Sequence, residues 1–386
     1  MISSSDPAFL HKAIGMLAIA CSLTTSLQSQ HPALNPTAST TIVVNGPLHY
    51  SSIDIPNGVT VRFVAPNVLP RPFAPTVIYC DGDANIRGTL SVGGEIGNGF
   101  GMPAGMVNLG AGLPGNLCFG VPFPPAQGGS HAGNYGTVIP FGLEGGSSGG
   151  DMVVYDQNCW NVLYRNYGGT GGGTLVLLAN GRIDVHGTVT ADGIQYGPAS
   201  TGGRDFSGGG SGGSILLRSA ATVTVFPTGS VTARGGTYQG SPAVSLGAPG
   251  YVRIDAYAST PLLQGLVDPP PTVLELPHLH TTSAPQIGTT WTLGSLAPEN
   301  CPVFVCAALQ PAPGTPTPFG PLGIDLPLAF TLAMLVTPQG HDPIASLPLA
   351  IPNQQSLRGQ NLWFQALAAP PNLPPRLTNT LAVTIQ

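Results

Sequence analysis

A glycine-punctuated strand pattern occurs three times in this chain and limits the fold more than any other feature of the sequence. The copies read Val77-Ile78-Tyr79-Cys80 into Asn85-Ile86-Arg87-Gly88-Thr89-Leu90-Ser91-Val92-Gly93-Gly94, Thr174-Leu175-Val176-Leu177-Leu178 into Arg182-Ile183-Asp184-Val185-His186-Gly187-Thr188-Val189-Thr190, and Ser214-Ile215-Leu216-Leu217 into Thr222-Val223-Thr224-Val225 then Gly229-Ser230-Val231-Thr232. Each is a short apolar run, a turn, an alternating run, a Gly followed by Thr or Ser, and a third short run. Stacked coils of a β-solenoid have this rhythm, because each coil can bury its apolar side chains only against its neighbours. The expected fold is all-β: a parallel β-helix with glycine-rich loop insertions over residues 40–260, then a small antiparallel β-sandwich over 270–386.

Composition supports that division. With 54 Gly and 41 Pro in 386 residues, helix formers are too dilute for long helices, while 42% apolar residues suffice for a core. A shift at Pro269-Pro270-Pro271 marks the boundary. Beyond it Gly thins out and short runs such as Thr289-Thr290-Trp291-Thr292-Leu293 and Leu362-Trp363-Phe364-Gln365-Ala366-Leu367 suggest antiparallel strands. Leu328 to Val336 reads as a buried strand.

Residues 1–30 read as a leader. Lys12 precedes the short apolar stretch Ala13 to Ala20, and Ala18-x-Ala20 resembles a signal peptidase site. Cys21, next in line, leaves open a second route, lipoprotein processing with acylation at that residue. Lys12 is the only lysine; once a leader is removed, Schiff-base chemistry and a P-loop lysine are excluded. The net charge of −5 is thinly spread with no basic cluster, which argues against nucleic acid. No stretch is long enough for a transmembrane helix.

In an exported chain disulfides are expected, and Cys118 with Cys159 is the preferred pair, since both lie in one glycine-rich excursion without a core of its own. Cys301 and Cys306 would stand roughly 16 Å apart in a straight strand, so they pair only if the chain turns between them.

The three repeats, with the returns Gly212-Gly213-Ser214-Ile215-Leu216-Leu217 and Tyr251-Val252-Arg253-Ile254-Asp255, resemble the glycine-rich right-handed parallel β-helix of bacterial secreted and surface proteins, adhesin-like ones included. The segment Leu357-Arg358-Gly359-Gln360-Asn361-Leu362-Trp363-Phe364-Gln365-Ala366, followed by Leu377-Thr378-Asn379-Thr380-Leu381-Ala382-Val383, is similar to a C-terminal domain of secreted planctomycete-type proteins. These resemblances imply an extracellular address and an architecture. Neither brings a catalytic motif.

Several letter patterns have simpler explanations. Gly208-x-Gly210-x-x-Gly213 matches a dinucleotide fingerprint but leads into a strand, with no helix N-terminus for a pyrophosphate. Gly145-x-Ser147-x-Gly149 and Gly209-x-Ser211-x-Gly213 match a nucleophile elbow without the strand-to-helix turn. Asp81 and Asp83 flank Gly82 after a strand and are the candidates for a Ca²⁺ site, a polar turn being the plainer reading. His278 and His280 would share a strand face; with no third ligand nearby they read as solvated surface histidines.

Asp184, His186 and Asp192 sit in one repeat and are the catalytic candidates if this is a β-helix glycoside hydrolase or lyase, which needs paired carboxylates about 5–9 Å apart. Tyr196 and Tyr238, on the excursions, are the ligand-binding candidates, since an aromatic ring offers a sugar an apolar face and a polar edge; plugging of the solenoid flank is the other reading. Trp160 fits the plug better. The sequence therefore points to a structural or adhesive surface protein, without a cofactor, whose partner is an extracellular polysaccharide or a cell-surface protein. The carbohydrate-active enzyme is the alternative.

Overall fold

The computed structural model describes residues 31–64, 75–93, 115–118, 152–155, 162–166, 169–194, 208–237, 246–257, 259–338, 344–371 and 373–386, with the backbone alone at 115–118, 152–155 and 162–166. These residues form two compact units, His31–Leu274 and Glu275–Gln386.

The first unit is a parallel solenoid. β1 (Thr40–Val43) leads into a first coil of β2 (Leu48–Tyr50), β3 (Ile53–Ile55) and β4 (Thr60–Val64), and a second of β5 (Thr76–Cys80), β6 (Ala84–Ile86) and β7 (Thr89–Ser91). The long excursion then contributes β8 (Gly115–Cys118), β9 (Met152–Tyr155) and β10 (Val162–Asn166), a small sheet in the order β10-β9-β8. The third coil is β11 (Thr174–Ala179), β12 (Ile183–Val185) and β13 (Thr188–Thr190); the fourth is β14 (Ser214–Ser219), β15 (Val223–Val225) and β16 (Ser230–Thr232). The fifth is β17 (Tyr251–Ala256), β18 (Leu262–Leu263) and β19 (Leu266–Asp268), after which β20 (Thr272–Glu275) closes the stack.

Each coil gives one strand to each of three parallel sheets. Sheet one runs β2-β5-β11-β14-β17-β20, sheet two β3-β6-β12-β15-β18, and sheet three β1-β4-β7-β13-β16-β19. Period-two alternation aims the apolar residues inward, and the in-register pairing stacks like on like. Ile55, Ile86, Val185 and Val225 form one inner column, Val61, Leu90, Val189 and Val231 a second, and Ile78, Leu177, Leu217 and Ile254 a third. All are buried in one cluster, and each contributes about 1.5–3 kcal/mol of hydrophobic stabilisation before entropy is counted.

From sheet three back to sheet one the chain passes from β4 to β5, from β7 to β11, from β13 to β14 and from β16 to β17. The described segments that return at 169–173, 208–213 and 247–250 are rich in glycine, and the first two are largely buried. Gly172 N–H donates to Ser211 O at 2.9 Å, Gly212 N–H to Ala248 O at 2.9 Å and Gly250 N–H to Ala233 O at 2.7 Å. A Cβ on Gly172, Gly213 or Gly250 would collide with the backbone of the adjacent layer. The letters of the dinucleotide fingerprint thus mark close backbone packing.

Sheet one is covered on its outer face as well. Val77, Val176 and Leu216 form a second buried cluster there, continued in register by Arg253, while the next column runs Tyr79, Leu178, Arg218, Asp255. Asp255, fully buried, accepts from Arg218 Nε at 2.9 Å and from Arg253 Nε and Nη2 at 2.9 and 2.8 Å. Such a cluster fixes the register of β14 against β17, because breaking it would strand charge in the interior.

The second unit is antiparallel. Its strands are β21 (His278–His280), β22 (Thr290–Leu296), β23 (Pro302–Ala308), β24 (Pro311–Thr317), β25 (Gly320–Ile324), β26 (Phe330–Val336), β27 (Ile344–Ala350), β28 (Asn361–Ala368), β29 (Arg376–Leu377) and β30 (Leu381–Thr384). One sheet is β21-β22-β27, the other β26-β23-β28-β29 with β30 also on β28, and β24 pairs with β25. Leu279, Trp291 and Leu293 of the first sheet meet Val303, Val305, Phe364 and Ala366 of the second in a single core. One side-chain amide acts as an extra strand edge: Leu279 N–H donates to Asn379 Oδ1 at 2.7 Å, and Asn379 Nδ2 donates to Leu279 O at 3.1 Å.

Two sequence expectations change in this unit. β26 is an edge strand, with Phe330 at 49%, Met334 at 63% and Val336 at 56% exposure, so its apolar run is not buried. His280 is buried because it lies opposite Gly294, where the missing side chain leaves room for the imidazole. As the sequence spacing required of an unpaired couple, Cys301 directly precedes β23 and Cys306 lies within it with no turn between them, and both are free thiols.

Candidate functional site

The corner between sheets two and three is counted residue by residue. The second and third coils turn it with two residues, Arg87-Gly88 and His186-Gly187. The first and fourth coils use four, Pro56-Asn57-Gly58-Val59 and Phe226-Pro227-Thr228-Gly229, each closed as a turn by Val59 N–H to Pro56 O at 3.1 Å and Gly229 N–H to Phe226 O at 2.7 Å. Register is kept throughout, since Thr89 N–H donates to Val59 O, Thr188 N–H to Gly88 O and Ser230 N–H to Gly187 O, all at 2.8 Å. The extra residues therefore stand out as two walls with a two-coil gap between them.

The gap is a notch of about 660 Å³, open to solvent, with Asn57, Gly58 and Thr228 as walls and Arg87 to Thr89 and His186 to Thr188 as floor. Gly88 and Gly187 keep the floor low, as a Cβ at either would strike the backbone of the preceding coil. Arg87, His186 and Phe226 occupy equivalent corner positions in successive coils, each donating its backbone N–H to the coil before it. The rings of His186 and Phe226 stack with centroids 3.8 Å apart at 15°. Arg87 Nη2 lies 2.8 and 2.9 Å from the two carboxylate oxygens of Asp54, which turns the planar guanidinium into a neutralised pair at the rim. Thr228 Oγ1 donates to His186 O at 3.0 Å and ties one wall to the floor.

The result is a column of planar groups beside threonine hydroxyls, with little net charge. Such a surface can stack on an apolar ring face and hydrogen-bond its rim.

Of the residues singled out from sequence, His186 lies in the notch. Asp184 is on β12 of sheet two, in register with Asn85 and Thr224. Asp192 is past the end of β13 in sheet three, accepting from Thr232 Oγ1 at 3.0 Å and from Arg234 N–H at 2.6 Å, a fastening between coils. Asp81 lies 2.9 Å from His31 Nδ1, and Asp83 accepts the Arg182 backbone N–H at 2.7 Å, a bond that holds its carboxyl below the usual range. Among the described residues no group of three or more His, Cys, Asp or Glu side chains could hold a metal ion. Tyr196, Tyr238, Trp160, Cys159 and Cys21 lie outside the described residues, and Cys118 is described by its backbone in β8 alone.

Arg87, Asn57, Thr228 and Phe226 were not singled out from sequence. The signal for them was present in the unequal spacing between alternating runs, four residues in the first and fourth coils and two in the others.

By fold this is an all-β protein with stacked parallel sheets followed by antiparallel ones. No family model, curated protein or solved structure matches the chain. Among the described residues no helix is long and apolar enough to cross a membrane.

Proposed function

We propose that this chain is an exported recognition protein of the cell surface or extracellular matrix, and that it holds a polysaccharide at the corner notch. The observation that carries the reading is the notch itself: two walls set by corner length, and between them a guanidinium and an imidazole beside hydroxyls, the imidazole stacked on the Phe226 ring of the wall corner. Sugars present apolar ring faces and hydroxyl edges, which such a column can match without a charge field. The sequence adds a leader-like start, and its resemblance to adhesin-like secreted β-helices and to a planctomycete-type C-terminal domain supports the same address. In this reading the antiparallel unit is a docking or sorting module. The glycosidase alternative would rest on Asp184 of β12 and on Asp192, which follows β13 and is held by Thr232 and Arg234.

The test is retention of the purified chain on a panel of neutral and acidic polysaccharides, with reducing ends assayed in parallel. Retention without new ends is expected, weakened about tenfold by Arg87→Ala and several-fold by His186→Ala, the losses typical of a charged hydrogen bond and of ring stacking. Retention unchanged in both variants, or absent for every polysaccharide, overturns the proposal.

A further inference from the structure

The three outward faces of the solenoid differ in chemistry. Sheet one is buried on its outer side, by Val176, Leu216 and the Asp255 cluster. Sheet two carries Asp54, Asn85 and Asp184 in one outward column. Sheet three has a hydroxyl in each of five successive layers: Ser39, Thr60, Thr89, Thr188, Ser230. Ser39 joins the column by accepting the Thr60 N–H at 3.0 Å, and Ser230 Oγ donates to Thr188 Oγ1 at 3.0 Å.

A second column on the same face, Thr41, Arg62, Ser91, Thr190, Thr232, has hydroxyls with a different task. Ser91 Oγ and Thr190 Oγ1 each accept the backbone N–H two residues on, at 3.2 Å, and Thr232 Oγ1 is held by Asp192. Those side chains close strand ends. The first column has no such repeated duty along its length, and its Thr89 and Thr188 also form the notch floor.

We infer that the sheet-three face binds an uncharged, extended, β-linked polysaccharide chain lying along the solenoid axis, one sugar unit per coil, with the notch beside the middle of the column as its anchor. This rests on the polysaccharide reading of the notch. Adjacent strands are about 4.8 Å apart, close to the rise of one pyranose unit in an extended β-linked chain, so successive sugar units fall opposite successive coils, alternate units presenting opposite hydroxyl-bearing edges. Uncharged hydroxyls in the column select an uncharged chain, since a carboxylated one would lose its hydration with no cation in the column to replace it. Continuity with the ring column at the notch favours a sugar over an ordered layer of water.

Isothermal titration of the chain with cello-oligosaccharides of two to eight units tests the inference. Affinity should climb by roughly fivefold per unit up to about five units, one hydrogen bond being gained per coil, and then level off. In the triple variant Ser39→Ala, Thr60→Val, Ser230→Ala, which leaves the notch lining intact, the climb should flatten while the shortest sugars bind as before. A climb that the triple variant keeps, or no climb beyond two units, overturns the axial chain while the notch reading stands. Absence of binding at every length removes both. Arrest of ice growth by the unaltered chain, lost in the triple variant, with no sugar bound, would make ordered water the occupant and also overturn the inference.

Discussion

Gly187→Ala is the most direct test of how the coils stack. A Cβ at this position would stand 2.6 Å from the Arg87 carbonyl carbon and overlap the carbonyl oxygens of Gly88 and Arg87, all backbone. Relief needs a shift of about 1 Å between coils in a densely packed interior, at the cost of the 2.8 Å bond from Thr188 N–H to Gly88 O. Overpacking costs about 1–3 kcal/mol and the lost bond about 0.5–1.5 kcal/mol; the stiffer unfolded chain returns about 0.4–1 kcal/mol. The net is about 2 kcal/mol of destabilisation.

Two other glycines separate the contributions. Gly46 has nothing within 4 Å and no left-handed backbone, so Gly46→Ala should be neutral or slightly stabilising. Gly58 also faces open space, but its φ of +78° is left-handed, so Gly58→Ala should lose about 1–2 kcal/mol through strain alone. Urea unfolding followed by far-ultraviolet circular dichroism, read as midpoint shifts at constant slope, ranks the three. If Gly187→Ala falls within about 0.5 kcal/mol of Gly46→Ala, close coil approach is not what keeps this corner free of side chains.

Asp255→Asn should destabilise the solenoid by about 3–5 kcal/mol, since it takes the carboxylate from the buried Arg218 and Arg253; a change under about 1 kcal/mol in urea unfolding would show that the cluster is not what holds β14 to β17. Burial pushes the Cys80 thiol up to about 11 and that of Cys301 up to about 12, above about 8.5 for an exposed cysteine. The folded state thus favours the neutral thiols, so their contribution to stability is whole below pH about 8.5 and is lost as pH rises through the folded values. At pH about 8 neither should react with iodoacetamide in the native chain while both react in urea; native labelling at the unfolded rate, seen by mass spectrometry, would refute this.

The solenoid was legible because one rule sets both its sequence and its shape. Alternation such as Ile183-Asp184-Val185 aims one face inward, and recurrence stacks that face on Ile86 and Val225. Burial on the outer side of sheet one was not legible, because Arg253 and Asp255 have the same letters whether they face water or each other. His280 shows the same limit in reverse: its burial depends on Gly294, across a hairpin, and no local pattern announces the pairing. The edge position of β26 also escaped the sequence, for an apolar run reads alike at the centre of a sheet and at its rim.

The notch lies between the two cases. Its residues are ordinary turn residues, and only their number carries information. Pro56-Asn57-Gly58-Val59 and Arg87-Gly88 connect the same two sheets, and the difference matters because the walls of one coil border the floor of the next.

Long stretches of chain are let out where sheet three returns to sheet one, whereas the notch is shaped at another corner by additions of two residues. Length variation at the first is decoupled from relief at the second, because the strands between hold register through the buried columns. A lineage could enlarge, shrink or replace its excursions without disturbing the notch, and could retune the notch by adding or removing two residues in one coil. Divergent relatives of this chain would then differ most in total length and in the arithmetic of that single corner, and least in the columns that stack beneath it.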